Sequence, residues 1–88
     1  MNEDREQLKA ALKELVIEDC AKDVEPDEIT DDEVLIGGPL DLDSLDALQI
    51  CMAVQHKYGV RIEAGPQARK ALRSINALSD TILEHRPG

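Results

Sequence analysis

The segment that decides the fold covers residues 43–59 and reads DSLDALQICMAVQHKYG. It opens on short polar side chains that can cap a helix and closes on Gly59, which favours a left-handed helix end. Asp43 and Asp46 stand where the positive end of the helix dipole would lie. Together these features predict a helix from about Ser44 to Tyr58.

The apolar residues of this helix form two sets rather than one stripe. The first set falls on one face at helical spacing and is suited to a core: Ala47, Ile50, Cys51, Val54 and Tyr58. The second set, at i, i+3 and i+7, comprises Leu45, Leu48 and Met52. We expect the first face to be buried and the second to contact a neighbouring segment or another protein.

Three further helices are predicted around this one. Apolar residues at helical period predict a helix over about residues 3–20: Leu8, Ala11, Leu12, Leu15 and Val16. Pro66 is placed to open a short helix over about residues 66–72. Ser74 is placed to cap a last helix that Pro87 and Gly88 close. The residues predicted to face inward on it are Ile75, Leu78, Ile82 and Leu83.

A loop of about twenty residues separates the first two helices, which is longer than compact domains usually carry. We expect its spaced apolar residues to pin it to the core: Val24, Ile29, Val34, Leu35, Ile36 and Leu40. Leu42, just before Asp43, is expected to be buried as well. A short strand over residues 33–36 is possible, but no other segment of the sequence has a strand pattern with which it could pair. The prediction is therefore an all-α four-helix bundle, with three main helices, a short third helix and a long loop between helices 1 and 2, forming one domain over residues 1–88.

Composition limits the function as well as the fold. The chain has 88 residues, of which 42% are hydrophobic, and Tyr58 is its one aromatic residue, so the core is expected to be aliphatic. A formal charge of -9 disfavours nucleic acid and anionic membranes as partners. The acidic residues are concentrated in the first half of the chain. Residues 1–43 hold 15 acidic and 4 basic side chains, whereas residues 44–88 hold 4 acidic and 6 basic ones.

The residues offer little for catalysis or metal binding. His56 and His85 stand among polar residues, and no serine or cysteine lies at a spacing that would suggest a catalytic pair with either. We expect both histidines at the surface. The acidic run that begins at Asp41 fails as a calcium loop, because its sixth and twelfth positions are Asp46 and Met52 instead of Gly and Glu.

Cysteine usage and the absence of targeting signals predict the compartment. Cys20 and Cys51 form no disulfide framework, and they are expected to be free thiols in a reducing cytoplasm. No apolar run is long enough to span a bilayer, and the amino terminus lacks the features of a secretory signal. We therefore expect a cytoplasmic protein without membrane insertion.

Ser44 remains as the residue of greatest functional interest. A phosphodiester on Ser44 would meet free N–H groups and the positive end of the helix. Helix capping alone would also explain a serine at this position.

Residues 43–60 resemble the second helix of acyl carrier proteins, with their D-S-L attachment site. Residues 24–29 resemble the preceding loop of that family, and residues 72–75 resemble the start of its fourth helix. The resemblance extends from about Leu8 to Leu83 and suggests a carrier of the free-standing type.

This resemblance implies that Ser44 carries 4'-phosphopantetheine, installed from coenzyme A by a magnesium-dependent phosphopantetheinyl transferase. The thiol of the arm would hold acyl groups as thioesters, and the protein, a monomer without enzyme activity, would deliver them to a ketosynthase, an acyltransferase or ligase, and other chain-modifying enzymes. Asp43 and Leu45 would lie beside the arm. The partner-docking residues would be Asp46, Leu48, Gln49, Met52 and Gln55. Family members can also shelter the growing chain between helices, and an aliphatic core could open similarly.

The chain also departs from the family pattern. Acids of the later docking helix are replaced by Gln49, Gln55, His56 and Lys57, and the third helix region carries Arg69, Lys70 and Arg73. These departures favour a specialised fatty-acid or polyketide-type pathway over housekeeping fatty-acid synthesis. Two alternatives stay open on the sequence: a peptidyl or aryl carrier, and a non-carrier acidic helical adaptor in which Ser44 is only a cap.

Overall fold

The computed structural model describes residues 2–63 and 65–85. In these ranges four helices follow one another: α1 over Asn2–Asp19, α2 over Ser44–Tyr58, α3 over Pro66–Ala71 and α4 over Ile75–His85. A 3-10 turn over Pro26–Glu28 lies in the loop after α1. Within the described residues there is no strand, only an isolated bridge between Ile36 and Leu42. The predicted all-α class is confirmed.

Helix α1 is the centre of the packing. It packs against both α4 and α2, whereas α3 packs against α4. The buried face of α1 consists of Leu8, Leu12, Leu15 and Val16. The buried apolar face of α4 consists of Ile75, Leu78 and Ile82.

The prediction that Leu83 faces inward is wrong, because its side chain is 36% exposed. Leu83 follows Ile82 by about 100° of helix rotation, which turns it away from the buried face.

The long loop is held on the core by both apolar and backbone contacts. Ile29, Leu35 and Leu42 are buried, as predicted. The amide of Leu35 donates to the carbonyl of Arg73 at 3.3 Å, and the amide of Asn76 donates to the carbonyl of Asp31 at 3.0 Å. These bonds attach the loop to the segment around the start of α4, which explains how a loop of this length stays in place.

The helix ends follow local chemistry. Gly59 ends α2 with φ 71° and ψ 15°, the left-handed cap that the sequence predicts. The Oγ of Ser74 accepts from the amide of Ala77 at 3.1 Å, so Ser74 caps α4 as expected. The predicted closure by Pro87 and Gly88 lies outside the described residues.

Candidate functional site

The site is built on the first turn of α2, where a reciprocal capping box holds two acids. The Oδ1 of Asp43 accepts from the amide of Asp46, and the Oδ2 of Asp46 accepts from the amide of Asp43, each at 3.0 Å. Asp43 is therefore the cap, and Ser44 is the first residue of the helix. The side chain of Ser44 is exposed and contributes to neither cap bond. Its hydroxyl is available for chemistry.

The electrostatics of this turn are set by Asp43. The hydrogen bond from the backbone N–H of Asp46 is the main cause that lowers the pKa of the Asp43 carboxyl below its ordinary value of 3.8. The carboxyl is consequently ionised at neutral pH and places a negative charge directly before Ser44.

The two predicted faces of α2 are observed. Ile50, Cys51 and Val54 are buried, and Ala47 and Tyr58 are partly buried against the core. The second set is exposed: Leu45 by 71%, Leu48 by 52% and Met52 by 62%. Gln49 and Gln55 are exposed on the same helix. The predicted docking residues thus lie at the surface, apart from Asp46, which is half-buried.

A cleft of about 820 Å³ lies between α2, α3 and the long loop, and Ser44 forms part of its lining. Residues of α2 provide one apolar wall: Ala47, Leu48 and Cys51. The opposite wall is formed by Ile62, Ala68 and Leu72. Sequence reasoning did not predict this cleft. The signal that was available is the small side chain of the alanines on both walls, which leaves space that larger residues would fill.

The loop side of the cleft corrects one expectation. Val34 was predicted to pin the loop to the core, but its side chain is 50% exposed and lines the cleft together with Ile36. The amide of its neighbour Leu35 bonds to Arg73, and the side chain of Leu35 takes the core position. Because Leu35 fills the core position of this segment, Val34 is left at the loop wall of the cleft.

Both cysteines are free, and both are poor nucleophiles at neutral pH. Burial, and then the neighbouring carboxylate of Asp46, raises the pKa of the Cys20 thiol to about 11. Burial alone raises the pKa of Cys51. Because the thiolate is the reactive form, neither side chain is suited to hold a thioester in exchange with partner enzymes.

The remaining polar groups suggest no second centre. His56 and His85 are exposed, as predicted. The described residues contain no group of three or more His, Cys, Asp or Glu side chains that could hold a metal ion. No helix in this part of the chain is long and apolar enough to cross a membrane.

Comparison with protein families gives the class of the site. A family model described as the phosphopantetheine attachment site matches residues 10–82. Because this match covers most of the 88 residues, the chain belongs to that family and is a phosphopantetheine-carrying carrier protein. No curated protein matches the sequence. The non-carrier adaptor that the sequence left open is therefore set aside.

The first turn of α2 fits the group that defines this family, 4'-phosphopantetheine in covalent attachment. An exposed hydroxyl at the positive end of a helix suits a phosphodiester, and the adjoining apolar cleft can receive what the arm carries. Carrier proteins of this family interact with phosphopantetheinyl transferases and with biosynthetic enzymes.

Proposed function

We propose that Ser44 is the attachment residue and that this protein carries acyl intermediates as thioesters on the arm. The observation that carries the proposal is the accessibility of the serines. The chain has three, and Ser44 is the one whose side chain is exposed. Ser74 is buried and caps α4, while the hydroxyl of Ser79 is fully buried and donates to the carbonyl of Asn76 at 2.9 Å.

The role of the protein in this proposal is delivery rather than catalysis. An arm rooted at an exposed turn keeps the thioester at high effective concentration for each enzyme that docks. Asp43 and Leu45 lie beside the root of the arm. The docking surface is assigned to Asp46, Leu48, Gln49, Met52 and Gln55, whose apolar members supply contact area and whose amides supply hydrogen bonds.

The intact mass of the protein tests the attachment. After incubation with coenzyme A, magnesium and a broad-specificity phosphopantetheinyl transferase, the wild-type chain should gain the mass of one arm. Ser44→Ala should gain none, and its helix content should match that of the wild type, because Asp43 supplies the cap. An unmodified wild-type protein, or a modified Ser44→Ala, would overturn the assignment.

We further propose that the cleft beside Ser44 shelters the acyl chain. Its apolar walls and its volume of about 820 Å³ support this role. An environment-sensitive probe on the arm should report an apolar surrounding in the wild type. Ala68→Leu, which fills the cleft, should return the probe to water, whereas Ala10→Leu on the exposed side of α1 should not. A probe that is fully solvated in the wild type contradicts sheltering.

The surface chemistry supports a specialised fatty-acid or polyketide-type pathway. The later docking turns carry Gln55, His56 and Lys57 in place of acids, and a partner with a basic surface would find few carboxylates there. In a reconstituted assay the housekeeping ketosynthase and transacylase should turn over the charged protein at least about tenfold more slowly than the housekeeping carrier. Equal turnover would refute this part of the proposal.

A carrier of aminoacyl or aryl groups is the second candidate. The ionised carboxyl of Asp43 immediately before Ser44 favours acyl carriage. Loading assays with acyl and aminoacyl donors on the same modified protein separate the two. We place the acyl carrier in the cytoplasm as a single-domain monomer. Size-exclusion chromatography of the modified protein can check that it is a monomer.

A further inference from the structure

Three cations border the cleft that contains Ser44. Arg69 and Lys70 belong to α3, and Arg73 follows it by two residues. All three side chains are exposed, and all three residues line the cleft. We call them the basic rim.

The basic rim lacks ion pairs with the acids of the described residues. Of the six other basic residues whose side chains the structure describes, Arg5, Lys9, Lys13 and Arg61 pair with carboxylates, whereas Lys22 and Lys57 do not. The rim differs from these two lysines in its place, since all three of its cations line the cleft and neither lysine does. Positive charge at the rim is thus left for a group outside the described residues.

The surroundings of the rim strengthen its field. No Asp or Glu is among the described residues that line the cleft. Apolar walls limit the screening of charges at the mouth of a concave site. The backbone of Arg73 is fixed, since its carbonyl accepts from the amide of Leu35 and its amide donates to the carbonyl of Lys70 at 3.4 Å. Arg73 is therefore held against the loop wall of the cleft.

We propose, given the attachment of the arm at Ser44, that the carried acyl group ends in a carboxylate and that the basic rim binds it. The apolar walls suit the methylene segment of such a chain, and the cations at the mouth suit its free acid. A guanidinium can bind a carboxylate through two parallel hydrogen bonds. Arg69 and Arg73 each supply one guanidinium. A plain fatty acyl chain would use the walls and leave the three cations unpaired.

A second anion is present in the same site, the phosphodiester at the root of the arm. It lies at Ser44, on the α2 side of the cleft, whereas the rim belongs to α3 and the turn that follows. Because the root and the rim lie on opposite sides of the cleft, the far end of the cargo is favoured as the group that the rim binds. The experiment distinguishes the two anions.

The test measures the pKa of the free carboxyl on the cargo. The modified protein is loaded with a six-carbon dicarboxylic acyl group that is carbon-13 labelled at its free carboxyl, and the signal is followed by NMR against pH. Relative to the wild type, Arg69→Gln and Arg73→Gln should each raise this pKa by about 0.15 to 0.7, the range that corresponds to one exposed ion pair.

Arg61→Gln is the matched control. It removes the same charge from an exposed side chain that does not line the cleft. It should raise the carboxyl pKa by less than about 0.1, because Arg61 is already paired with Glu63 and salt screens the charge that remains. Equal changes in all three variants would show a general charge effect and overturn the proposal.

The phosphorus NMR signal of the phosphodiester in the arm is the second readout. In the modified protein without cargo, this signal should be the same in the wild type and in the rim variants. If the rim variants changed it while the carboxyl pKa followed the Arg61→Gln control, the rim would bind the phosphodiester and the proposal would be wrong. A protein that never acquires the arm fails earlier, in the mass measurement, so failure of the attachment is distinguished from failure of the rim.

Discussion

Asp43 and Ser44 divide two tasks between adjacent residues. Asp43 caps α2 through the amide of Asp46, and this leaves the hydroxyl of Ser44 without a structural duty. Asp and Ser are about equally good caps, so the sequence alone cannot decide which of the two performs that role. The capping box decides it, because only Asp43 has its side chain on the amide at the third helical position. Covalent attachment requires a hydroxyl that is free to react at a helix start that stays stable without it.

Cys20 carries a residue-scale prediction about reactivity. Its pKa of about 11 leaves little thiolate at pH 8, so alkylation by iodoacetamide should be about 100-fold slower than for an exposed cysteine. Mass mapping of the labelled peptides measures the rate. The thiol of an attached arm, which is rooted at the surface, should react at the ordinary rate in the same sample.

A substitution identifies the cause of this low reactivity. Asp46→Asn removes the carboxylate that contributes to the raised pKa after burial, and it keeps an oxygen that can accept from the amide of Asp43. Alkylation of Cys20 should therefore accelerate. Asp19→Asn, which removes a weaker contribution, should accelerate it less. Unchanged rates in both variants would mean that burial alone controls the thiol.

At the scale of the element, the carboxyl end of α1 carries local strain. Ala21 has φ 53°, and the amides of Ala21 and Lys22 donate to the carbonyls of Glu18 and Ile17, which together form a Schellman motif. Glycine is the residue that this position favours. Ala21→Gly should raise the free energy of unfolding by about 0.5–1 kcal/mol in urea titrations.

The same substitution inside α1 supplies the control. Ala10 is an exposed helical residue, and Ala10→Gly should lower the free energy of unfolding by about 1 kcal/mol. If Ala21→Gly stabilises the protein and Ala10→Gly destabilises it, the difference comes from backbone conformation, because the chemical change is the same at both positions. Destabilisation by both substitutions would contradict the strain at Ala21.

Two neighbouring glycines in the loop make different demands. A Cβ on Gly38 would lie 1.8 Å from the carbonyl oxygen of Val34, a backbone atom that cannot move aside without shifting the loop. Gly38→Ala should therefore cost about 2 kcal/mol of stability and slow the attachment of the arm, because the loop leads directly into Asp43.

Gly37 is the matched position. A Cβ there would meet no atom within 4 Å, but φ is +77°. Gly37→Ala should cost only the conformational strain, about 1 kcal/mol. Urea titration of both variants compares them directly, and an equal cost would show that the contact with Val34 is not the cause.

The sequence predicts the parts of this fold that depend on local patterns. The two faces of α2 follow from the helical period, and the end at Gly59 follows from the conformation that glycine allows. The exposure of Val34 and the cleft do not follow from local patterns, because they depend on how far α3 lies from α2. That spacing is a tertiary property, since α3 packs against α4 instead. The basic rim was visible in the sequence, but its position on the cleft was not.

At the scale of the molecule, polar contacts join segments that are distant in the sequence. Arg5 of α1 pairs with Asp80 of α4, and Asn76 of α4 bonds to Asp32 of the loop. The loop returns to α1 through Asp31, which pairs with Lys9 at 2.9 Å and Lys13 at 2.8 Å. These contacts join α1, α4 and the loop, whereas the cleft lies between α2, α3 and the loop.

Asp31 should consequently control part of the acid stability of the whole fold. Its contacts with Lys13 and Lys9 lower the pKa of its carboxyl below the ordinary 3.8. A lowered folded pKa contributes stability that is present above pH 3.8 and is lost as the pH falls through the folded value. Asp31→Asn should thus lower the free energy of unfolding by about 1 kcal/mol at pH 7, and the difference from the wild type should shrink as the pH falls below 3.8. Asp23→Asn, in an exposed part of the same loop, should change little at either pH. Urea titrations at pH 7 and at a pH well below 3.8 measure the effect, and a difference of constant size would show that it does not come from the charge of Asp31.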